Sequence, residues 1–347
     1  MYSGLLKYSA IVAKLHALSG KLLKYKDFEA MSKLERVSDA VKMLQTRTLY
    51  GHELKVSAEE VHRDVLEQKL RYGYIDDYMR ISMYLNKNDR KFVSAAMSKY
   101  ETDILKKVIR NCIEENASGN SFIYDIPPEL GKVFDFDVKK LAEAANISDV
   151  MNIIEKSKYH KVIAALLRRE KTIDIFEVET NLDIFYFKNL WETAKKCYKE
   201  KKENKIAELV GREADIFNVL WIYRCKKYYK LPAEYIYALL LPVHKKLTPE
   251  RIKKLAEADS YEEMEEMISA SKYAAYFKVN DVALLEKVMR KTIIKIIGEQ
   301  VKKNPHSVAS VMLYLYKEEL ELENICSVAE GIRYGLPSEK ILEYVVM

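Results

Sequence analysis

Apolar side chains recur every three or four residues along most of the chain, which is the spacing of one buried face of an α-helix. The pattern is clearest in residues 3–23 and 88–116, and the second stretch predicts a helix roughly 40 Å long. No stretch alternates apolar and polar residues over several positions, as a half-buried β-strand would. Only 10 glycines and 7 prolines interrupt the 347 residues. The pattern therefore predicts an all-α protein without a sheet.

One block of sequence occurs twice at a fixed offset. Lys139–Ala144 reads KKLAEA and is followed by SKY at Ser157–Tyr159. The same two blocks return at Lys253–Ala258 and Ser271–Tyr273. The offset is 114 residues without a gap, and 10 of the 21 aligned positions are identical. Two separate blocks that keep one offset indicate an internal duplication.

A second set of repeated features ends each copy. Arg110 and Arg224 are also 114 residues apart, and each closes a predicted helix. A third relative ends at Arg333, and the tetrapeptides LPAE and LPSE, at 231–234 and 336–339, follow the second and third closing helices. We interpret the chain as three helical repeat units, 1–120, 121–245 and 246–347. We call the block at 139–159 and its copy at 253–273 the opening blocks, because each lies near the start of a unit. Residues 32–50 form a fainter copy of this opening block.

Helix-capping residues predict where the short helices of each unit begin. Asp137 and Ser148 are the expected N-caps of the second unit, and Thr248 is the expected N-cap of the third. The aromatic run 176–191 is interpreted as the core face of a helix. Capping-box pairs are predicted at Ser57 with Glu60 and at Ser260 with Glu263.

The charge and the cysteines favour a protein of the cytosol. The net charge of +6 comes from 58 basic and 52 acidic side chains spread along the chain, which indicates a solvated surface and no nucleic-acid footprint. The four cysteines form no C-x-x-C pair and are interpreted as reduced thiols. We expect no signal peptide and no membrane span, so work at a membrane would need a partner.

No known catalytic, cofactor or metal motif is present, so we expect no enzyme and assign no catalytic, cofactor-binding or metal-binding residue. A glycine-rich phosphate loop, a nucleophile elbow and an H-E-x-x-H zinc helix are all missing. The six histidines have no ligand spacing. Asp76 and Asp77 are adjacent, and on a helix their side chains point about 100° apart.

The repeated polar residues of the closing helices are the candidate contact sites: Arg110, Asn218, Arg224, Asn324 and Arg333. An asparagine inside an apolar helix face must find hydrogen-bond partners. We favour the interpretation that these groups fix helix register within each unit. The alternative is that Arg224 and Arg333 line a common opening and meet the carboxylates of a partner.

The closing helices resemble a known family. Tyr100-Glu101-x-x-Ile104-Leu105-Lys106-x-Val108-Ile109-Arg110 is similar to the first signature of the C subunit of the archaeal and bacterial V-type (A-type) ATPases, whose eukaryotic counterpart is the d subunit. Asp215-x-x-Asn218 and Glu321-x-x-Asn324 resemble its second and third occurrences. The resemblance spans nearly the whole chain, although Ile104 stands where the first family motif usually has asparagine.

The resemblance implies three similar helical domains in a funnel around a pseudo-threefold axis. The protein would be a non-catalytic, socket-like adapter of the central stalk, present in one copy and held on the cytoplasmic side of the membrane. Its partners would be the membrane rotor ring and the shaft subunits, and it would transmit torque between ATP turnover and proton or sodium transport. The competing class is a cytosolic helical-repeat scaffold for protein–protein interaction, and a nucleic-acid-binding protein ranks third.

Overall fold

The computed structural model describes residues 2–47, 49–51, 54, 63–114, 126, 131–168, 174–198, 205–269 and 282–347. Within these ranges the protein is all-α, as predicted, and has no β-strand. The α-helices are α1 Tyr2–Ser19, α2 Tyr25–Ser32, α3 Val37–Arg47, α4 Arg63–Ser82, α5 Lys87–Ile113, α6 Val138–Ala142, α7 Ile147–Ile153, α8 His160–Leu167, α9 Ile175–Cys197, α10 Lys205–Arg224, α11 Ala233–Leu239, α12 Pro249–Glu257, α13 Tyr261–Ser269, α14 Val282–Lys303, α15 Val308–Arg333 and α16 Ser338–Glu343.

The chain forms two compact units. The first, which we call the terminal unit, combines Met1–Asn86 with Ala275–Met347, and the second, the central unit, is Lys87–Ala274. The predicted division into 1–120, 121–245 and 246–347 stays a prediction, as does the funnel. Part of the second opening block, residues 271–273, lies outside the described residues.

The terminal unit is built around the long helix α15. Helices α1, α2, α3, α4, α14 and α16 all pack against it. The side chains with no exposed surface come from several of these helices and include Phe28, Leu44 and Ile81. Gly331 lets α16 approach closely, because a Cβ at this position would lie 2.6 Å from Cγ1 of Ile341. Residues distant in sequence therefore share one core.

The central unit is organised around α5, α9 and α10. Helix α9 packs along α5 and α10, and α10 also contacts α11 and α12. The aromatic run 176–191 contributes Tyr186 and Phe187 to the core, with their ring centroids 5.0 Å apart. Tyr159, at the end of the first opening block, is fully buried. The block is thus part of the packing of this unit.

Two of the three predicted N-caps are confirmed and one is wrong. Asp137 accepts hydrogen bonds from the amides at 139 and 140, and Thr248 accepts one from the amide at 251. Ser148, however, lies inside α7, whose N-cap is Asn146. Asn146 accepts from the amide of Asp149, whose carboxylate accepts in return from the amide at 145, so this pair satisfies two helix-start donors.

The predicted capping-box pair Ser260 and Glu263 forms, but Glu263 accepts from the amide of the residue before Ser260 and not from that of Ser260 itself. Ser260 accepts from the amide of Glu263 at 3.1 Å, while the Glu263 carboxylate accepts from the amide of Asp259 at 2.8 Å. The other predicted pair, Ser57 and Glu60, lies outside the described residues.

Candidate functional site

Each closing helix carries a buried acidic residue at a matching position of the repeated motif. These residues are Glu101 in α5, Asp215 in α10 and Glu321 in α15, and their exposed fractions are 5%, 0% and 5%. Asp215 and Glu321 stand three residues before Asn218 and Asn324. Buried carboxylates need hydrogen bonds or a paired charge. The hydrogen-bond partners of these three carboxylates therefore show which segments of the chain each closing helix contacts.

The carboxylate of Asp215 holds the segment that opens the next helix pair. It accepts from the backbone amides of Lys245 at 2.9 Å, Lys246 at 2.5 Å and Leu247 at 3.2 Å. Gly211, one turn earlier on the same helix face, leaves room for this segment, because a Cβ there would lie 2.9 Å from Cβ of Lys245. The three bound amides lead directly into the N-cap of α12.

Glu101 makes the corresponding contact ahead of α6. Its carboxylate accepts from the amide of Asp135 at 2.9 Å and from the hydroxyl of Tyr159 at 2.5 Å. The ammonium of Lys158 lies 2.5 Å away and neutralises the charge. Closing helix α5 is thereby joined to the segment just before the opening block, at Asp135, and to the end of that block, at Tyr159.

Glu321 makes the third contact, and its partners lie near the start of the chain. It accepts from the amide of Leu23 at 2.5 Å and from the hydroxyl of Tyr50 at 2.8 Å. Leu23 leads into α2, and Tyr50 follows α3. The last closing helix, α15, therefore hydrogen-bonds to the segments beside the short helices α2 and α3. Helices α5 and α10 make the same kind of contact with the short helices that follow them in the chain.

Glu321 is the least compensated of the three carboxylates. Burial raises its pKa to about 7, although its two hydrogen bonds act in the opposite direction. Glu318, one turn earlier on α15, is buried as well, and its pKa is raised by burial and then by the nearby carboxylates of Asp77 and Glu321. The hydroxyl of Tyr314 donates to Asp77 at 2.9 Å. Three acidic side chains thus share one region of the terminal unit.

Glu321 is expected to make the stability of the terminal unit depend on pH. Because its pKa is higher in the folded than in the unfolded chain, the folded state is favoured below about pH 4.5, and this contribution is lost as the pH rises through about 7. Glu321→Gln keeps an acceptor for the amide of Leu23 and adds no charge. We expect this variant to be more stable than the wild type at pH 8 by up to roughly 3 kcal/mol, measured by urea unfolding.

The control for this prediction is Glu339→Gln, which removes an exposed carboxylate. Its unfolding curves at pH 5, 6.5 and 8 should follow those of the wild type. Parallel pH profiles for the wild type and Glu321→Gln would contradict the role of the buried carboxyl.

Asn218 and Asn324 confirm that a buried asparagine in an apolar helix finds hydrogen-bond partners. The side-chain amide of Asn218 donates to the carbonyl of Leu241 at 3.1 Å and accepts from its amide at 2.7 Å. Asn324 makes the same pair with Val346, at 2.8 and 3.1 Å. Their partners are backbone groups 22 or 23 residues downstream and not a neighbouring helix face. Each asparagine therefore pins the chain after a short helix, α11 or α16.

The site of Asn324 also contains a buried lysine that the sequence did not single out. Lys287 donates to the hydroxyl of Ser327 at 2.5 Å and to the carbonyl of Tyr344 at 2.7 Å, and its ammonium lies 3.4 Å from Oδ1 of Asn324. Burial lowers its pKa to about 8.

The three candidate arginines have different surroundings. Arg110 forms an ion pair with Glu179 of α9. Arg224 is half-buried with its guanidinium 5.8 Å from the ring of Trp221, and burial lowers its pKa. Arg333 is exposed and donates to Glu330 at 2.8 Å and to the hydroxyl of Tyr334 at 2.9 Å. Arg224 and Arg333 belong to different units, so a shared opening stays a prediction.

Within the described ranges, no group of three or more His, Cys, Asp or Glu side chains is arranged to hold a metal ion. None of the helices in these ranges combines the length and the apolar character that a membrane crossing requires. All four cysteines are free, and Cys197 and Cys225 are buried.

The fold and these contacts define a class of protein, an all-helical protein whose buried polar side chains hydrogen-bond to its own backbone. The chain belongs to the ATP synthase (C/AC39) subunit family, whose model matches residues 11–344. This match confirms the family resemblance.

Several curated proteins are similar to the chain over nearly its whole length. The C subunit of the A-type ATP synthase of Desulfurococcus sp. (strain SY) is 25% identical over 343 residues, which cover 97% of this chain and 90% of that protein. The protein of the same name from Thermococcus kodakarensis is 23% identical over 344 residues, with the same coverage of both chains. That of Archaeoglobus fulgidus is 24% identical over 348 residues, which cover 98% of this chain and 96% of that protein.

Proposed function

We propose that this chain is a non-catalytic subunit of the central stalk of a rotary A-type or V-type ATPase. In this role it is a socket-like adapter between the membrane rotor ring and the shaft subunits, present in one copy per complex. It passes torque between ATP turnover and the transport of protons or sodium ions. Membership of the ATP synthase (C/AC39) subunit family supports the assignment to such a complex.

The observation that supports the adapter role is the repeated set of hydrogen bonds that Glu101, Asp215 and Glu321 accept from backbone amides. Each of the first two joins its closing helix to the opening segment that follows in the chain, and Glu321 joins the last closing helix to the segment around Leu23. Each of the three closing helices thus repeats the same contact, the last of them with a segment near the start of the chain.

A part that transmits torque must be stiff, and the same contacts supply stiffness. The hydrogen bonds at the three acidic residues and at Asn218 and Asn324 are buried or partly buried, where local opening costs more than at an exposed loop. The long helices α5 and α15, of 27 and 26 residues, provide extended rigid elements. These features support a rigid adapter, which we propose is peripheral to the membrane on its cytoplasmic side.

The proposal is tested with inverted membrane vesicles from cells that lack the chain. We expect ATP hydrolysis by the head to continue while ATP-driven ion pumping is lost, and we expect purified chain to restore pumping. Wild-type vesicles with an ionophore provide the uncoupled control. Vesicles without the chain that still couple hydrolysis to pumping would disprove the adapter role. Co-purification of a tagged chain with soluble partners alone would favour the helical-repeat scaffold.

A further inference from the structure

The segment after α10 exposes several tyrosines close together. The hydrogen bonds of the buried acidic residues and asparagines give no reason for this exposure. Residues 224–237, which we call the tyrosine turn, comprise the end of α10, a π-helical turn at Cys225–Tyr229 and the start of α11. The exposed fractions of Tyr228, Tyr229, Tyr235 and Tyr237 are 48%, 57%, 66% and 37%. Exposed tyrosines in one short segment are typical of protein–protein contacts, because the ring supplies a large contact area with few rotatable bonds.

The tyrosine turn is held rigidly at its base. Leu231 donates its amide to the carbonyl of Cys225 at 3.0 Å, and Cys225 is fully buried. Ile236, between two exposed tyrosines, has no exposed surface, and Asn218 pins Leu241 just beyond α11. A surface that is ordered before binding loses less conformational entropy on association.

The turn also contains a strained residue. Lys230 has φ +50°, and it is the one residue other than glycine with positive φ in the described chain. The corresponding turn after α15 has Gly335 with φ +65°, followed by the same Leu-Pro dipeptide. A side chain in this conformation costs of order 1 kcal/mol or more. The second copy therefore carries a cation at the position where the third has glycine.

The charge of the tyrosine turn indicates the chemistry of its partner. Residues 224–230 read RCKKYYK and contain four cationic and no acidic side chains. The ammonium of Lys227 lies 5.0 Å from the ring centroid of Tyr223 and 5.6 Å from that of Tyr228, so cations and rings form one surface. Glu234 is also exposed in this segment, and a mixed pattern of charge fits a protein surface better than a uniformly anionic bilayer.

We infer that the tyrosine turn is a docking surface for a protein of the rotary complex that presents carboxylates beside apolar side chains. The inference rests on the proposed function and adds the site and the chemistry of one contact. The tyrosines supply the buried area, and the exposed Lys230 supplies the complementary charge together with the half-buried Arg224. The ammonium of Lys226 already donates to the carbonyl of Ala258 at 2.7 Å.

The test measures binding of the full chain to the solubilised rotary complex prepared from cells that lack it. The complex is immobilised through a tagged head subunit, and the chain is titrated as wild type, Tyr229→Ala, Tyr235→Ala and Lys230→Gly. We expect each tyrosine variant to bind about 30-fold more weakly. Tyr84→Ala, which removes a tyrosine 49% exposed in the terminal unit, is the matched control and should bind like the wild type.

Lys230→Gly separates a role in binding from a role in folding. Because glycine relieves the positive φ, the unfolding midpoint of this variant should equal or exceed that of the wild type, while its affinity falls and depends less on salt. Wild-type affinity in all three turn variants would overturn the docking surface. A wild-type chain that does not bind the complex would instead disprove the proposed function.

A second arm of the test distinguishes a bilayer from a protein partner. Co-sedimentation with phosphatidylglycerol vesicles should retain little wild-type chain. Retention that Tyr229→Ala abolishes would overturn the inference, since the tyrosine turn would then contact lipid.

Discussion

Asp215→Ala is expected to lower the free energy of unfolding of the central unit by about 3–5 kcal/mol, because three backbone amides lose their shared acceptor. Asp215 has no exposed surface, so water does not readily replace the carboxylate. The segment leading into α12 would detach from α10. Urea unfolding followed by circular dichroism measures the loss.

Asp137→Ala is the matched control for this substitution. Asp137 also accepts from backbone amides at a helix start, at 3.1 and 3.2 Å, but its side chain is half exposed. Water can solvate these amides, so the expected loss is about 1 kcal/mol. Equal losses for the two variants would show that burial of the Asp215 contact contributes nothing.

Asn218→Asp is expected to destabilise the central unit by about 3–5 kcal/mol at pH 7, although the side chain keeps its shape. The Oδ1 contact with the amide of Leu241 survives, but a second carboxylate oxygen replaces the group that donates to the carbonyl of Leu241. Burial beside a carbonyl raises the pKa of the introduced carboxyl above its unfolded value. The protonated form regains a donor, so the loss should shrink as the pH falls from 7 toward the unfolded pKa of an aspartate, about 4.

Asn324→Asp provides the comparison, because its surroundings differ by one charge. The ammonium of Lys287 lies 3.4 Å from Oδ1 of Asn324, whereas the side chain of Asn218 bonds to the uncharged backbone of Leu241. An introduced carboxylate at 324 would be partly neutralised, and the expected loss is smaller by about 1–2 kcal/mol. Identical losses at the two positions would contradict this electrostatic explanation.

The helices could be predicted well, since they depend on local pattern, and the polar residues of the closing helices stand out in the sequence for the same reason. Asn218 and Asn324 stand out because an amide within an apolar stripe must have a partner. The identity of that partner could not be predicted, because Leu241 and Val346 contribute backbone atoms, which carry no signal in the sequence.

The acidic residues illustrate where local reasoning fails. Asp76 and Asp77 diverge on α4, yet Asp77 lies beside Tyr314 and Glu318 of α15, more than 230 residues later. Nothing in residues 63–82 indicates this neighbour. Asp215 and Glu321 were visible as parts of repeated motifs, but their role needed the loop amides that only the folded chain brings to them.

The start of α7 shows the limit of cap prediction by residue type. Asparagine and serine are about equally good N-caps, so type alone does not choose between Asn146 and Ser148. The hydrogen bond that the amide at 145 donates to the carboxylate of Asp149 decides in favour of Asn146.

The terminal unit has a consequence for synthesis of the protein on the ribosome. Helices α1 to α4 pack against helix α15, and the 188 residues of the central unit are translated between them and that helix. At typical elongation rates this interval lasts roughly 10–40 s. During that time Phe28, Leu44 and Ile81 lack the helix that buries them, while the central unit can already fold. The nascent N-terminal helices are therefore expected to bind chaperones until translation reaches the end of α15.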